Sequence, residues 1–168
     1  NMSGATKILA AAGGAGGEGE YVEDVFSIDL WTGDGSSQAI ENDIDLSNEG
    51  GMVWIKNRVN GDSIAFSHSL FDPTIGLNIR MKSDSSGAEQ SVASTLTSFN
   101  TDGYDLGTGV SVNYSNAADF VGWTFRKANG FFFQDEVVKA VSTNKTVDLS
   151  SLGTVGMVAV KRTDSAGS

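Results

Sequence analysis

The residues of this chain that could do chemistry are acids, amides and one imidazole. Asp34 forms one small oxygen-rich segment. Asn42, Asp43 and Asp45 form a second, and Asn100, Asp102 and Asp105 a third. Calcium is held by such oxygens, in sets of roughly six to eight. None of the three segments has the spacing of an EF-hand loop, and Asp and Asn are also ordinary turn residues. Turn chemistry is the expectation, calcium the alternative, and no cofactor is predicted.

Catalytic pairings are harder to build. Paired-carboxylate glycoside chemistry needs two acids on rigid elements facing one cleft. Glu18, Glu20 and Glu23 lie in or beside a glycine-rich stretch that positions nothing. No strand carries the Glu-x-Asp-x-x-Glu pattern of concanavalin-type hydrolases. His68 has Asp72 close by in sequence but no nucleophile elbow to serve, so a surface or structural role is expected. Cysteine is absent and His68 is the only histidine. That removes disulfides, thiolate sites, cysteine nucleophiles and multi-histidine metal centres. Gly13-Gly14-Ala15-Gly16-Gly17 precedes the first strand, so it is not a phosphate loop. These residues point away from an enzyme.

Binding is easier to support. Trp31 falls beside the turn Thr32 to Ser37 and is a candidate exposed glycan contact. Trp54 and Trp123 sit inside strands and are expected in the core. Phe131-Phe132-Phe133 follows Asn129-Gly130. On a strand, three consecutive rings cannot all face inward. The run is a candidate subunit or domain contact, within the chain or across an oligomer.

The elements that must position these residues are short strands. The chain has 168 residues, with 21 Gly and one Pro, and nine Phe, three Trp and three Tyr to fill a core. Phe26, Ile28 and Leu30 alternate with Ser27 and Asp29, the period of a half-buried strand. Gly51 to Arg58 is the strongest strand, turned by Asn60-Gly61-Asp62-Ser63 into Ile64 to His68. Leu77 to Met81, Thr95 to Phe99, Tyr104 to Leu106 and Val110 to Val112 are further strands, with Asn100 to Gly103 as a hairpin turn. Phe120 to Lys127 has large residues on both faces, as a central strand does. Only Glu89 to Ala93 looks helical. The expected fold is an all-β, jelly-roll or concanavalin-like antiparallel sandwich, with an immunoglobulin-like sandwich as runner-up.

Residues 1–24 read as a Gly-rich N-terminal docking arm, with Thr6, Lys7, Ile8 and Leu9 as its candidate contacts. Ile8 to Ala12 is too short for a signal-peptide core. Residues 25–130 form the sandwich. Residues 131–168 are either the start of a second, repeat-related β domain or the final strands of the first. The motif Ile44-Asp45-Leu46-Ser47, then Gly51-Met52-Val53-Trp54-Ile55-Lys56, returns as Val147-Asp148-Leu149-Ser150, then Gly156-Met157-Val158-Ala159-Val160-Lys161. The chain is therefore expected to be the N-terminal part of a longer protein. The formal net charge of -10 argues against nucleic acid. No apolar run approaches a membrane span, so no membrane insertion is expected.

Taken in order, Trp31 to Gln38, Gly50 to Lys56, Ser67-His68-Ser69-Leu70-Phe71-Asp72, Leu96 to Gly103 and Gly122-Trp123-Thr124-Phe125-Arg126-Lys127-Ala128 resemble a domain recurrent in marine bacteriophages, cyanophages among them. That domain occurs in large tail-fibre and other virion structural proteins. Gly156 to Asp164 is similar to the opening of the companion repeat such proteins carry. The family more often has proline and a plain Phe-Asp where this chain has Asn129-Gly130 and Phe131 to Asp135. The resemblance implies a place in the virion, at the phage tail, and carries over no catalytic residues. The expected partners are other virion and tail proteins and further copies of the chain, with a trimer favoured. Host surface glycan would be met through distal parts. A carbohydrate-binding, host-recognition module and a capsid decoration protein are the alternatives.

Overall fold

Alternating apolar residues and Gly, Asn and Asp turns cut this chain into short antiparallel strands. The structure is a computed structural model that describes residues 20–58, 68–115, 118–135 and 146–160. The arm residues Thr6, Lys7, Ile8 and Leu9 lie outside the described residues, as do the whole turn Asn60 to Ser63 and the expected strand from Ile64 up to His68.

A single helical turn, α1 (Val22–Val25), leads into β1 (Phe26–Thr32) and β2 (Gln38–Glu41). Then come β3 (Gly51–Asn57), β4 (His68–Phe71), β5 (Ile79–Lys82) and the two-residue β6 (Gln90–Ser91). β7 (Leu96–Phe99) and β8 (Gly103–Leu106) form a hairpin, and β9 (Asp119–Arg126) follows. One sheet runs β1-β9-β3-β4-β5-β6 and the other β2-β8-β7, with every pairing antiparallel. This is the all-β sandwich class read from the sequence. β9, apolar on both faces, lies between β1 and β3 as a central strand should.

The core forms between the sheets. Trp31, Val53, Ile55, Phe71 and Phe120 come from the larger sheet, and Ile40, Leu96, Tyr104 and Leu106 from the smaller. Ile44, Leu46 and Val112, from the connections, complete it.

Four local expectations are corrected. Val110 to Val112 is a turn, because the Val112 and Asn113 N–H groups donate back to the Gly109 carbonyl. Glu89 to Ala93 is not helical: its middle pairs with β5 as β6. β2 was not expected, since Ile40 is its only fully inward apolar side chain. β1 also faces the opposite way from its apolar alternation. Ile28 and Leu30 point outward, 56% and 64% exposed, while Ser27, Asp29 and Trp31 share the inner side. The Trp31 indole, in register with Phe120, decides the face. Asn42 satisfies the inward polar groups, donating from Nδ2 to Asp29 Oδ2 at 2.7 Å and Thr124 Oγ1 at 3.0 Å.

Candidate interaction surface

Trp31 is not an exposed glycan contact. It is 7% exposed, stacks on Phe120 with centroids 5.6 Å apart, and donates from Nε1 to the Val112 carbonyl at 3.0 Å. Its position near a turn suggested exposure, but strand parity turns the ring inward.

Trp54 and Trp123 reverse in the other sense. Both were expected in the core. They are half-buried on the outer face of the six-stranded sheet, paired in register with centroids 5.4 Å apart. Registers place Ile28 beside Trp123, Leu30 beside Val121, Phe26 and Met52 beside Phe125, and Leu70 beside Trp54. The result is an apolar band across the side of the sheet turned away from the core. Its exposed rim is Ile28 and Leu30.

The three-phenylalanine run closes one end of that band. Residues 128–132 make a tight turn, with the Ala128 N–H donating to the Phe132 carbonyl and the Phe132 N–H to the Ala128 carbonyl. The turn, not a strand, is what lets successive rings diverge. Phe131 lies 6.5 Å from Phe26 and from Phe125, and Phe132 5.5 Å from Phe125. Phe133 sits under Lys127 Nζ at 5.3 Å. The run thus makes contacts within the chain. Beside it, a cleft of about 370 Å³ is lined by Glu20, Glu49, Lys127, Asn129, Phe133 and Ser151 among others. Two of these lining acids meet Arg126, which is bonded to Glu20 and 4.0 Å from Glu49.

The oxygen-rich segments are turn caps. Asp34 Oδ1 accepts from the Ser36 N–H, and Asn42 Oδ1 from the Ile44 N–H. Asn100 donates to Asp105. Asp45 accepts from the Asn48 side chain and N–H and from Ser47, and these bonds hold its carboxyl below the usual carboxylate value. Among the described residues no group of three or more His, Asp or Glu is placed to hold a metal ion. His68 sits half-buried on the outer face opposite Lys56, and Asp72 caps the turn after β4 through Thr74.

The sequence repeat is also a structural one. In the first copy Asp45 caps a turn that ends at Gly50, with φ +75° and its N–H donating to the Leu46 carbonyl. In the second copy Asp148 Oδ1 accepts from the Ser150 N–H, and a 3-10 turn (Ser150–Leu152) ends at Gly153, with φ +68°. Asp148 too is held below the usual carboxylate value, first by the Ser150 N–H. The copies diverge at the next step. β3 after Gly50 is paired on both sides, with Val53 and Ile55 buried. The segment after Gly153 forms no strand, and its Met157 and Val160 are 82% and 92% exposed.

Fold and surface together define an all-β, two-sheet protein with an apolar band on the outer face of its larger sheet. By sequence the chain belongs to the DUF7483 family, a domain of unknown function, matched over residues 22–162. The match takes in both copies of the repeated motif. No curated protein and no solved structure matches the chain.

Proposed function

We propose that this chain is a non-enzymatic structural protein of a bacteriophage particle. Its place is the tail-proximal N-terminal part of a tail fibre or tail-associated protein, which it anchors to the virion. The observation that carries this proposal is the ordered series of motifs from Trp31 to Ala128. They resemble the domain recurrent in marine phage virion proteins and fall on β1, β3, β4, β7 and β9 of one sandwich. The repeated capped turn supports it, since a fibre grows by repeating a unit. The arm, with Thr6, Lys7, Ile8 and Leu9, docks to tail proteins.

Immunogold electron microscopy of intact particles, with an antibody to residues 21–168, tests it. Label at the tail is expected. Label over the head moves the protein to capsid decoration, and absence from particles overturns a virion role.

A host-glycan-binding module is the second reading, now with a different site. Trp54 and Trp123, not Trp31, carry half-exposed aromatic surface. Saturable quenching of Trp fluorescence by host polysaccharide, lost in Trp123→Ala, would favour it.

A further inference from the structure

We propose that residues 154–160 are a donor strand that adds antiparallel to the free edge of β1 in a second copy of this chain. The segment repeats the sequence of β3, which in its own sheet is a doubly paired strand, yet it stands exposed and, among the described residues, unpaired. Such a stretch is a template for strand addition. The capped turn before it, Asp148 to Gly153, is anchored to the sandwich by the Gly130 N–H donating to the Ser151 carbonyl. The segment therefore leaves the molecule from a fixed point.

The choice of acceptor follows from the edges. Among the described residues the larger sheet ends in β1 and β6, and the smaller in β2 and β7. β6 has two exposed polar residues, and β2 and β7 have four residues each. β1 has seven, the length of the donor, and shows Ile28 and Leu30 to solvent. Antiparallel addition sets Val158 beside Ile28 and Val160 beside Phe26, extending the apolar band. It also matches charge at one end. The donor is followed in sequence by Lys161 and Arg162, and β1 is preceded by the exposed acids Glu23 and Asp24. That local attraction counts in a chain whose net charge of -10 otherwise makes copies repel. Every copy carries both donor and acceptor, so the contact is either exchanged reciprocally between two copies or repeated head-to-tail, as a ring where the rotation closes and a filament where it does not.

The inference does not depend on a virion role. Because the chain has no cysteine, single-cysteine variants give an unambiguous test. Two chains of residues 1–168, one Ile28→Cys and one Val158→Cys, are mixed and oxidised, and their masses are followed by light scattering. Disulfides joining the two different variants are expected. A Val158→Pro chain is expected to lose the oligomer while keeping its circular dichroism, since proline cannot donate to a strand ladder. A chain that stays monomeric, disulfides only between like variants, or an oligomer indifferent to Val158→Pro would each overturn the proposal.

Discussion

A Cβ at Gly122 would collide with the Tyr104 hydroxyl and press on the Trp31 ring at 3.0 and 3.2 Å. Gly122→Ala is therefore expected to cost about 1–3 kcal/mol by overpacking. The Tyr104 hydroxyl is deeply buried. Burial first, then the negative charge of Asp29, holds it protonated well above its ordinary pKa. Removing that oxygen exposes no partner of large value, so Tyr104→Phe should be close to neutral. In the double variant it should return part of the Gly122→Ala loss, because the hydroxyl is gone while the indole remains. Urea unfolding of the four proteins measures this coupling, and strict additivity would refute it. Asp72 offers a second test. Burial raises its pKa above the ordinary carboxylate value, despite bonds from Thr74 and Gln134. An acid raised in the folded state stabilises below its unfolded pKa, and that contribution is lost as pH rises through the folded pKa. Asp45 has the opposite sign: its contribution is present above the unfolded value and lost as pH falls through the lowered one. Asp72→Asn should flatten the part of the Tm profile that falls on the alkaline side of the ordinary carboxylate value. The acid-side fall should remain.

Among the elements, the paired turns separate what the sandwich needs from what it only carries. Gly50 and Gly153 both end capped turns at positive φ, where an L side chain costs about 1–2 kcal/mol. Gly50 leads into β3, which is paired on both sides, whereas Gly153 leads into an exposed segment. Gly50→Ala should lower the sandwich's unfolding free energy, measured by urea titration, by that amount, and Gly153→Ala should leave it unmoved. Equal losses would mean that the second copy is part of the same cooperative unit. The strands with strong local signals were legible in sequence. β3 has a long apolar run, β7 and β8 are joined through Asp102-Gly103, and β9 is apolar on both sides. β2 was hidden because four residues with one buried aliphatic give no period. Val110 to Val112 misled because the glycine turn before it was the stronger signal. Faces were the deeper failure. In β1 the alternation of Phe26, Ile28 and Leu30 with Ser27 and Asp29 indicated the wrong face, and β9 is apolar on both sides, so alternation could not say which aromatics meet the second sheet. That depends on partners far away in sequence: Trp31 stacks on Phe120, while Trp54 meets Trp123 on the far side. The glycan candidate Trp31 failed for this reason. The phenylalanine run was conspicuous as three adjacent rings, but its turn, closed by the Ala128 and Phe132 bonds, was not legible from the strand parity applied to it.

At the scale of the whole molecule, the described residues form a core without residues 20–24. The core residues fall between Trp31 and Phe120. The link from the described N-terminal end is Glu20, whose carboxylate meets Arg126 at the exposed end of β9. An exposed pair of this kind contributes little to stability. Removing residues 1–20 should therefore leave the cooperative unfolding transition of the sandwich in place, with a small shift at most. Incorporation is a different matter under the anchoring proposal. Under that proposal Thr6, Lys7, Ile8 and Leu9 are the residues that meet the tail partner. Particles assembled with the truncated protein should lack it by immunoblot, while the purified truncated protein still unfolds as one unit. Four substitutions inside the arm, Thr6, Lys7, Ile8 and Leu9 each to Ser, should reproduce the loss if those side chains make the contact. Normal incorporation of the truncated chain would remove the arm from the mechanism and leave the apolar band and the donor strand as the surfaces through which this protein joins its neighbours.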